Sequence, residues 1–316
     1  MQRRDFLKKS MAGTMAFAFS GLIISSNAKA SNDLVVYDIS ANSGYKNMIG
    51  GSTVFVWSFD DFVSPGPGNI GSGMVVNEGD TIKVNLTNNL DRDINFAIEG
   101  VFKSDVIVSS GQIDTYIFTA PAAGTYMYTD NINGFISKSM GLFGALIVVP
   151  SIESKTLYID GPSFDKQYTL LMSDMDSRLN NAIANGDTNY DINNYEPNYY
   201  FANGLIFPDT KADEETLITM NVGEDVAIRF INASVIEYPM HFHGYHVNVI
   251  KTNNNLVNNF ISRDTVLVRP NTTAEVILPV NQVGSFPLHT HYIPGVTVNG
   301  VYTNPYGGSL IIMVAS

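Results

Sequence analysis

The chain carries the same pattern twice. Gly79-Asp80-Thr81-Ile82-Lys83-Val84-Asn85-Leu86-Thr87-Asn88 lines up with Gly223-Glu224-Asp225-Val226-Ala227-Ile228-Arg229-Phe230-Ile231-Asn232 at an offset of 144, and the match runs on without a gap to set Gly100 against Gly244. Further along, Gly124-Thr125-Tyr126 faces Gly284-Ser285-Phe286 at an offset of 160, and Gly144–Val148 is matched with Gly308–Ile312. Two copies of one unit are the economical explanation. Inside each copy the apolar residues alternate in short runs. Ile82 to Leu86, Val226 to Phe230, Val54 to Trp57, Tyr116 to Phe118, Leu146 to Val149, Val276 to Leu278 and Leu310 to Val314 are strand candidates, with Gly, Pro, Asn and Asp between them. That pattern predicts an all-β chain of sandwich type. A boundary near Pro150 divides it into residues 31–150 and 151–316. Ser177 to Tyr200, rich in Asn, Asp and Tyr and without a steady period, reads as a long surface loop leading into the second core.

Residues 1–30 read as an address. Arg3, Arg4 and Lys8 make a positive start, Met11 to Ile24 is an uncharged apolar run, and Ala28-Lys29-Ala30 has the small-x-small form of a signal-peptidase site. The run is too short for a comfortable membrane span. Paired arginines before Phe6-Leu7-Lys8 resemble a twin-arginine signal, which implies a bacterial protein sent folded to the periplasm or the medium. Removing this segment takes away five basic residues and one acidic one, moving the net charge from −12 to −16. Such acidity argues against a nucleic-acid partner, which would need a basic footprint. No second apolar stretch is long enough to span a membrane.

The chain has no cysteine, which removes disulfide scaffolds, thiolate zinc sites, iron–sulfur clusters and the thiolate that blue copper requires. It has five histidines, all between 241 and 291. His241 and His243 form one His-x-His pair and His289 and His291 another. On a strand, i and i+2 point to the same face, so two such strands side by side would gather four imidazoles within reach of one metal ion or two. Copper, zinc, iron and nickel all accept imidazole. His246 has the opposite parity to His243 and is expected to support the site from outside or to stand exposed, unless a bulge at Gly244 redirects it. In the first copy the four positions are Ala97, Glu99, Thr129 and Asn131, so imidazole is absent there. Only Glu99 and Asp130 could ligate a metal in that copy.

At these residues the chain resembles the multicopper oxidase superfamily. Tyr238-Pro239-Met240-His241-Phe242-His243-Gly244 is similar to that family's His-x-x-His-x-His-Gly motif. Pro287 to Gly308 is similar to its closing His-Cys-His stretch with a downstream Gly-Gly. Val76–Asp80, Met140–Leu146 and Lys211–Asn232 are also family-like. The resemblance implies two tandem cupredoxin-like Greek-key β-sandwich domains. By its length the chain resembles small laccases and copper nitrite reductases, and this implies a homotrimer.

The resemblance assigns His241 to a type 2 copper and His243, His289 and His291 to a type 3 pair. It also shows what is missing. The type 1 copper ligands fall on Tyr238, Thr290 and Gly295, none of which can serve as such. The expectation is an exported copper-binding protein with a reduced four-histidine site holding one or two ions, with zinc as the alternative metal. Glu99, from a neighbouring chain in a trimer, is the auxiliary ligand, and Tyr238 the residue beside the site. Redox work would need an external electron donor, and copper carriage a trafficking partner. Ordinary laccase chemistry is not expected without type 1 copper. The competing reading is a metal-free scaffold or binding protein that has lost the oxidase chemistry. Hydrolase readings find no Gly-x-Ser-x-Gly and no phosphate-binding loop.

Overall fold

The computed structural model describes residues 33–49, 51–59, 73–150, 155–187, 189–297 and 307–316. The segment read as an export signal lies outside them. The first copy contains β1 (Leu34–Asn47), β2 (Thr53–Phe59), β3 (Met74–Asn77), β4 (Thr81–Asn88), β5 (Ala97–Ile98), β6 (Phe102–Lys103), β7 (Ile113–Thr119), β8 (Gly124–Thr129), helix α1 (Phe135–Met140) and β9 (Phe143–Val149). The second contains β10 (Lys166–Met175), α2 (Ser177–Ala184), β11 (Tyr199–Ala202), α3 (Asp209–Ala212), β12 (Ile218–Met220), β13 (Asp225–Asn232), β14 (Tyr238–Phe242), β15 (Val247–Thr252), β16 (Asn255–Arg263), β17 (Thr265–Val268), β18 (Thr273–Pro279), β19 (Gly284–Thr290) and β20 (Ile311–Ala315). Every strand foreseen from alternation is present. None of the helices among the described residues is long and apolar enough to cross a membrane.

Two sheets, β2-β1-β4-β7 and β3-β9-β8-β5-β6, form the first sandwich. The second is built from β11-β10-β13-β18-β15-β16 and β12-β20-β19-β14-β17. Each sandwich opens with the same parallel pairing, β1 on β4 and β10 on β13. The internal repeat is a repeat of register as well as of sequence. Thr81 pairs with Thr119, and Asp225 with Pro279; Ala97 pairs with Thr129, and His241 with His289. These pairs obey the two offsets read from the sequence. One match shifts: the first sandwich pairs Tyr128 with Gly144 and the second pairs Leu288 with Ile311. The counterpart of Gly144 is therefore Ile311, three residues beyond Gly308. The glycine match marks a close approach instead, because a Cβ on Gly308 would stand 2.1 Å from the Gly295 carbonyl oxygen.

In β4 the alternation is realised as one buried face, with Ile82, Val84 and Leu86 at 0% exposure and Lys83 and Asn85 half-buried. In β13 both faces are buried. Its inward face carries Val226, Ile228 and Phe230 into the second core. Its other face meets the first sandwich, where Ile231, Leu171 and Ala233 pack on Met127, Phe143 and Ala145. Arg229 sits on this seam, fully buried and ion-paired with the equally buried Glu275. Thr125 of the first sandwich donates to the same carboxylate at 2.7 Å, and Lys251 stands 3.5 Å from its other oxygen. Burial pushes the Lys251 amine down, while Glu275 opposes that shift.

The stretch Ser177 to Tyr200 is more ordered than a surface loop. Its first eight residues form α2, capped by Asp176, whose carboxylate accepts from the Arg178 backbone N–H. The same carboxylate takes the Arg178 guanidinium, the Tyr190 hydroxyl and the Glu196 N–H, so one acid folds the whole segment back on itself.

The seam predicts its own weak point. Glu275→Ala would strand two buried cations, and the loss is expected to be about 3–5 kcal/mol. Glu99→Ala at the half-exposed Lys138 pair is expected to cost less than about 1 kcal/mol. Urea denaturation of the two variants makes the comparison.

Candidate metal centre

The site begins with the β14–β19 ladder. His241 lies directly across from His289, and Met240 and Phe242 pair with Thr290 and Leu288. His243 N donates to the Pro287 carbonyl (3.1 Å) and His291 N to the Pro239 carbonyl (2.8 Å), so the ladder continues one step at each end. The period of two then separates two faces. Tyr238, Met240, Phe242, Leu288 and Thr290 point into the core and are buried. All four imidazoles stand on the other face. His241 has ring centroids 4.7, 5.9 and 4.5 Å from those of His243, His289 and His291, and His243 and His289 are 5.0 Å apart. His241 and His289 are half-buried, whereas His243 and His291 form an exposed rim.

The hydrogen bonds fix which nitrogen is free. His289 Nδ1 lies 2.9 Å from the Thr290 carbonyl, which only accepts, so Nδ1 carries the proton and Nε2 the lone pair. His241 Nδ1 is likewise held by the Asp264 carbonyl (3.2 Å) and by Thr265 Oγ1 (3.1 Å). His243 Nε2 is 2.9 Å from His289 Nε2, and with the proton of His289 on Nδ1 it is His243 that donates. Burial lowers the pKa of both His243 and His289, and the neighbouring imidazoles lower it further. Both rings are thereby kept neutral, the form that binds metal.

These residues fit a metal ion in donor type, and one pair of them in spacing. Two nitrogens bound at about 2.0 Å to one ion, at right angles, stand roughly 2.8 Å apart; the His243–His289 separation is 2.9 Å. Tethering Nδ1 to an oxygen acceptor is the usual way a ligating imidazole is oriented. Among the described residues, however, no three His, Asp or Glu side chains aim their ligand atoms at a common point. The rings are gathered but lie tilted or edge-on to one another, and closing on an ion requires them to turn.

The auxiliary residues separate. His246 is exposed beyond the left-handed turn at Gly244 and makes no ring contact with the quartet. Glu99 holds the register of His243 in the first sandwich: its N–H donates to Met127 (3.0 Å) as that of His243 does to Pro287. Its carboxylate pairs with Lys138 at 3.3 Å. Asp130 is fully buried and accepts from Asn95, Ile132, Asn133 and Ser137, which leaves it no free oxygen for a metal. Tyr238 is fully buried and donates to the Ser173 carbonyl at 3.2 Å. Gly295 packs so closely under Thr290 that a Cβ there would meet the threonine methyl at 2.5 Å. Asp264 and Thr265 were not foreseen. Thr265 pairs with His241 across β14 and β17, and the Asp264 carboxylate is 4.0 Å from His241 Nδ1. Neither has a motif that sequence could flag.

Beneath the site, burial raises Asp174 from 3.8 to about 7. A folded value above the unfolded one means that the protonated form favours folding. Asp174 therefore contributes stability in acid that is lost as pH rises through about 7. Asp174→Asn, always neutral, is expected to gain stability relative to the parent between about pH 5 and pH 8, read by thermal melts at both. Thr265→Val, which removes one tether of His241, is expected to weaken transition-metal affinity about 10-fold to 100-fold in competition titrations, with the melting temperature of the metal-free protein little changed.

Two family models, both described as multicopper oxidase, match residues 68–153 and 179–303. No curated protein matches the chain. Among solved structures, the blue copper oxidase from Nitrosomonas europaea superposes with a TM-score of 0.74 at 24% identity, covering 90% of this chain and 86% of that one. The multicopper oxidase mgLAC gives 0.73 at 24% identity, again with 90% and 86% covered. A copper nitrite reductase from Nitrosomonas europaea gives 0.69 at 19% identity, covering 90% and 94%. With both halves matched by models of one family and the paired sandwiches laid out as in these copper proteins, the chain belongs to the multicopper oxidase superfamily.

Proposed function

We propose that this is an exported copper-binding protein whose second domain, residues 151–316, holds one or two copper ions on His241, His243, His289 and His291. The observation that carries the reading is the single face on which β14 and β19 gather those four rings, with His243 and His289 nitrogens 2.9 Å apart. The family is a copper family. Bound copper would supply one-electron chemistry at this face. The protein's own part is to orient His241 and His289 through Nδ1, keep the proton off their Nε2 atoms, and favour the neutral form of His243 and His289 by burial.

Type 1 copper has no place in this reading. Tyr238 and Thr290 fill the core side of the two strands, and Gly295 is closed by Thr290 and Gly308. Electrons for any redox cycle would then come from an external donor. The exposed rim of His243 and His291 is open to a second copy of the chain, as the trimer reading needs. Glu99 is already engaged by Lys138, so the proposal rests on the four imidazoles alone. A second reading, a scaffold without metal, is favoured by one observation: among the described residues no three ligand side chains converge on one point.

Copper loading followed by metal analysis and EPR decides between the two. One or two ions per chain, no intense blue thiolate band, and at least tenfold weaker binding in His289→Ala are expected. A ligand present at 100 times its Kd should also stabilise the fold by about 2.7 kcal/mol. No bound copper and an unchanged melting temperature would overturn the proposal.

A further inference from the structure

A second cluster of reactive side chains lies on the core side of the same strands, and the metal centre does not use it. Tyr195 donates its hydroxyl hydrogen to Asp174 Oδ1 at 2.9 Å. Its ring stands edge-on to Phe135 of the first sandwich with centroids 4.9 Å apart. Asp174 is 5% exposed; its other oxygen accepts only backbone N–H, that of Val235 at 3.1 Å among them. No cation pairs with it among the described residues.

The partner is what sets Tyr195 apart. Tyr116, Tyr126, Tyr200, Tyr238 and Tyr245 donate to backbone carbonyls, which accept a hydrogen bond but do not take a proton near neutrality. Tyr190 also donates to a carboxylate, that of Asp176 at 2.9 Å. Asp176, however, is clamped by the Arg178 guanidinium, which holds its carboxyl below the usual range and makes it a poor base. Asp174 has no such clamp, and desolvation makes its carboxylate a far better proton acceptor.

We propose that Tyr195 is a redox-active phenol with Asp174 as its built-in proton acceptor, an internal store of one electron behind the four-histidine face. In the step, a strong outer-sphere one-electron oxidant removes one electron from Tyr195. The Tyr195 O–H bond breaks, the Asp174 Oδ1–H bond forms, and the products are a neutral tyrosyl radical, a neutral carboxylic acid and the oxidant reduced by one. Two paths lead from the imidazoles to this pair. Val235, whose N–H binds Asp174, lies in the bend that leads into β14, and that strand runs from Tyr238 to His241, about 10 Å of extended backbone. Tyr292, next after His291, stands edge-on to the buried Tyr200 with ring centroids 6.0 Å apart, and Tyr200 pairs with Asp174 across β10 and β11. The link to the metal rests on the copper reading; the phenol chemistry does not.

The test uses the metal-free chain. Photogenerated tris(bipyridine)ruthenium(III), a cationic oxidant suited to an acidic protein, is flashed, and the sample is frozen for EPR. Wild type is expected to give a tyrosyl signal that drops at least fivefold in Tyr195→Phe, which keeps the ring against Phe135, while Tyr190→Phe keeps it. Asp174→Asn still accepts the hydrogen bond but not the proton, and should lose the signal to a similar degree; near-UV circular dichroism checks that each variant is folded. Full signal in folded Tyr195→Phe or in folded Asp174→Asn overturns the proposal. Failure here leaves copper binding untouched, and failure to bind copper leaves this signal untouched.

Discussion

The antiparallel register between β14 and β19 is the constraint on which the site depends. A slip of one residue would carry every side chain to the opposite face. Met240, Phe242 and Leu288 would then be exposed and His241 and His289 buried. Each of those apolar side chains contributes about 1.5–3 kcal/mol by being buried, so the core fixes the positions of the imidazoles. The histidines themselves add little to folding. Their arrangement is inherited from the hydrophobic pattern of the strands that carry them.

The same framework serves two ends in the two copies. Ala97 and Thr129 hold the registers of His241 and His289, yet the first sandwich places a buried polar hub there. Asp130, the counterpart of Thr290, gathers four residues around itself, and Thr129 is turned to the Leu142 carbonyl at 2.8 Å. The ligand positions are thus taken by an alanine and a threonine bound to backbone, and the polar hub lies beside them on the core side. What joins the copies is a seam whose apolar patches surround the Arg229–Glu275 pair. Such a pair gives little net stability over an apolar replacement, but it tolerates only one docking of the sandwiches.

Much of this was legible in the sequence because repeats and alternation are local. The offsets of 144 and 160 gave the sheet registers, and the two His-x-His pairs gave the quartet. The misplaced match at Gly144 came from aligning glycines: one glycine of the pair serves a strand, whereas Gly308 serves a turn against Gly295. Helix α2 was hidden because its helical spacing, Leu179, Ala182 and Ile183, spans little more than one turn inside an Asn- and Asp-rich stretch; its other signal was the cap, Asp176. Arg229 reads in the alternation as an outward residue, and only the second sandwich packing behind it makes it buried. Asp264 and Thr265 reach His241 across a sheet, from 23 and 24 positions away, and nothing in their neighbours announces it.

The unequal exposure of the four rings sets an order of events. An ion arriving from solvent at the proposed site would meet His243 and His291 while it still kept most of its water. It would become dehydrated only as His241 and His289 replaced that water further in. Capture would therefore be stepwise and run in reverse on release, so that a competing chelator of moderate strength could take the ion ring by ring from the rim without the sandwich having to open.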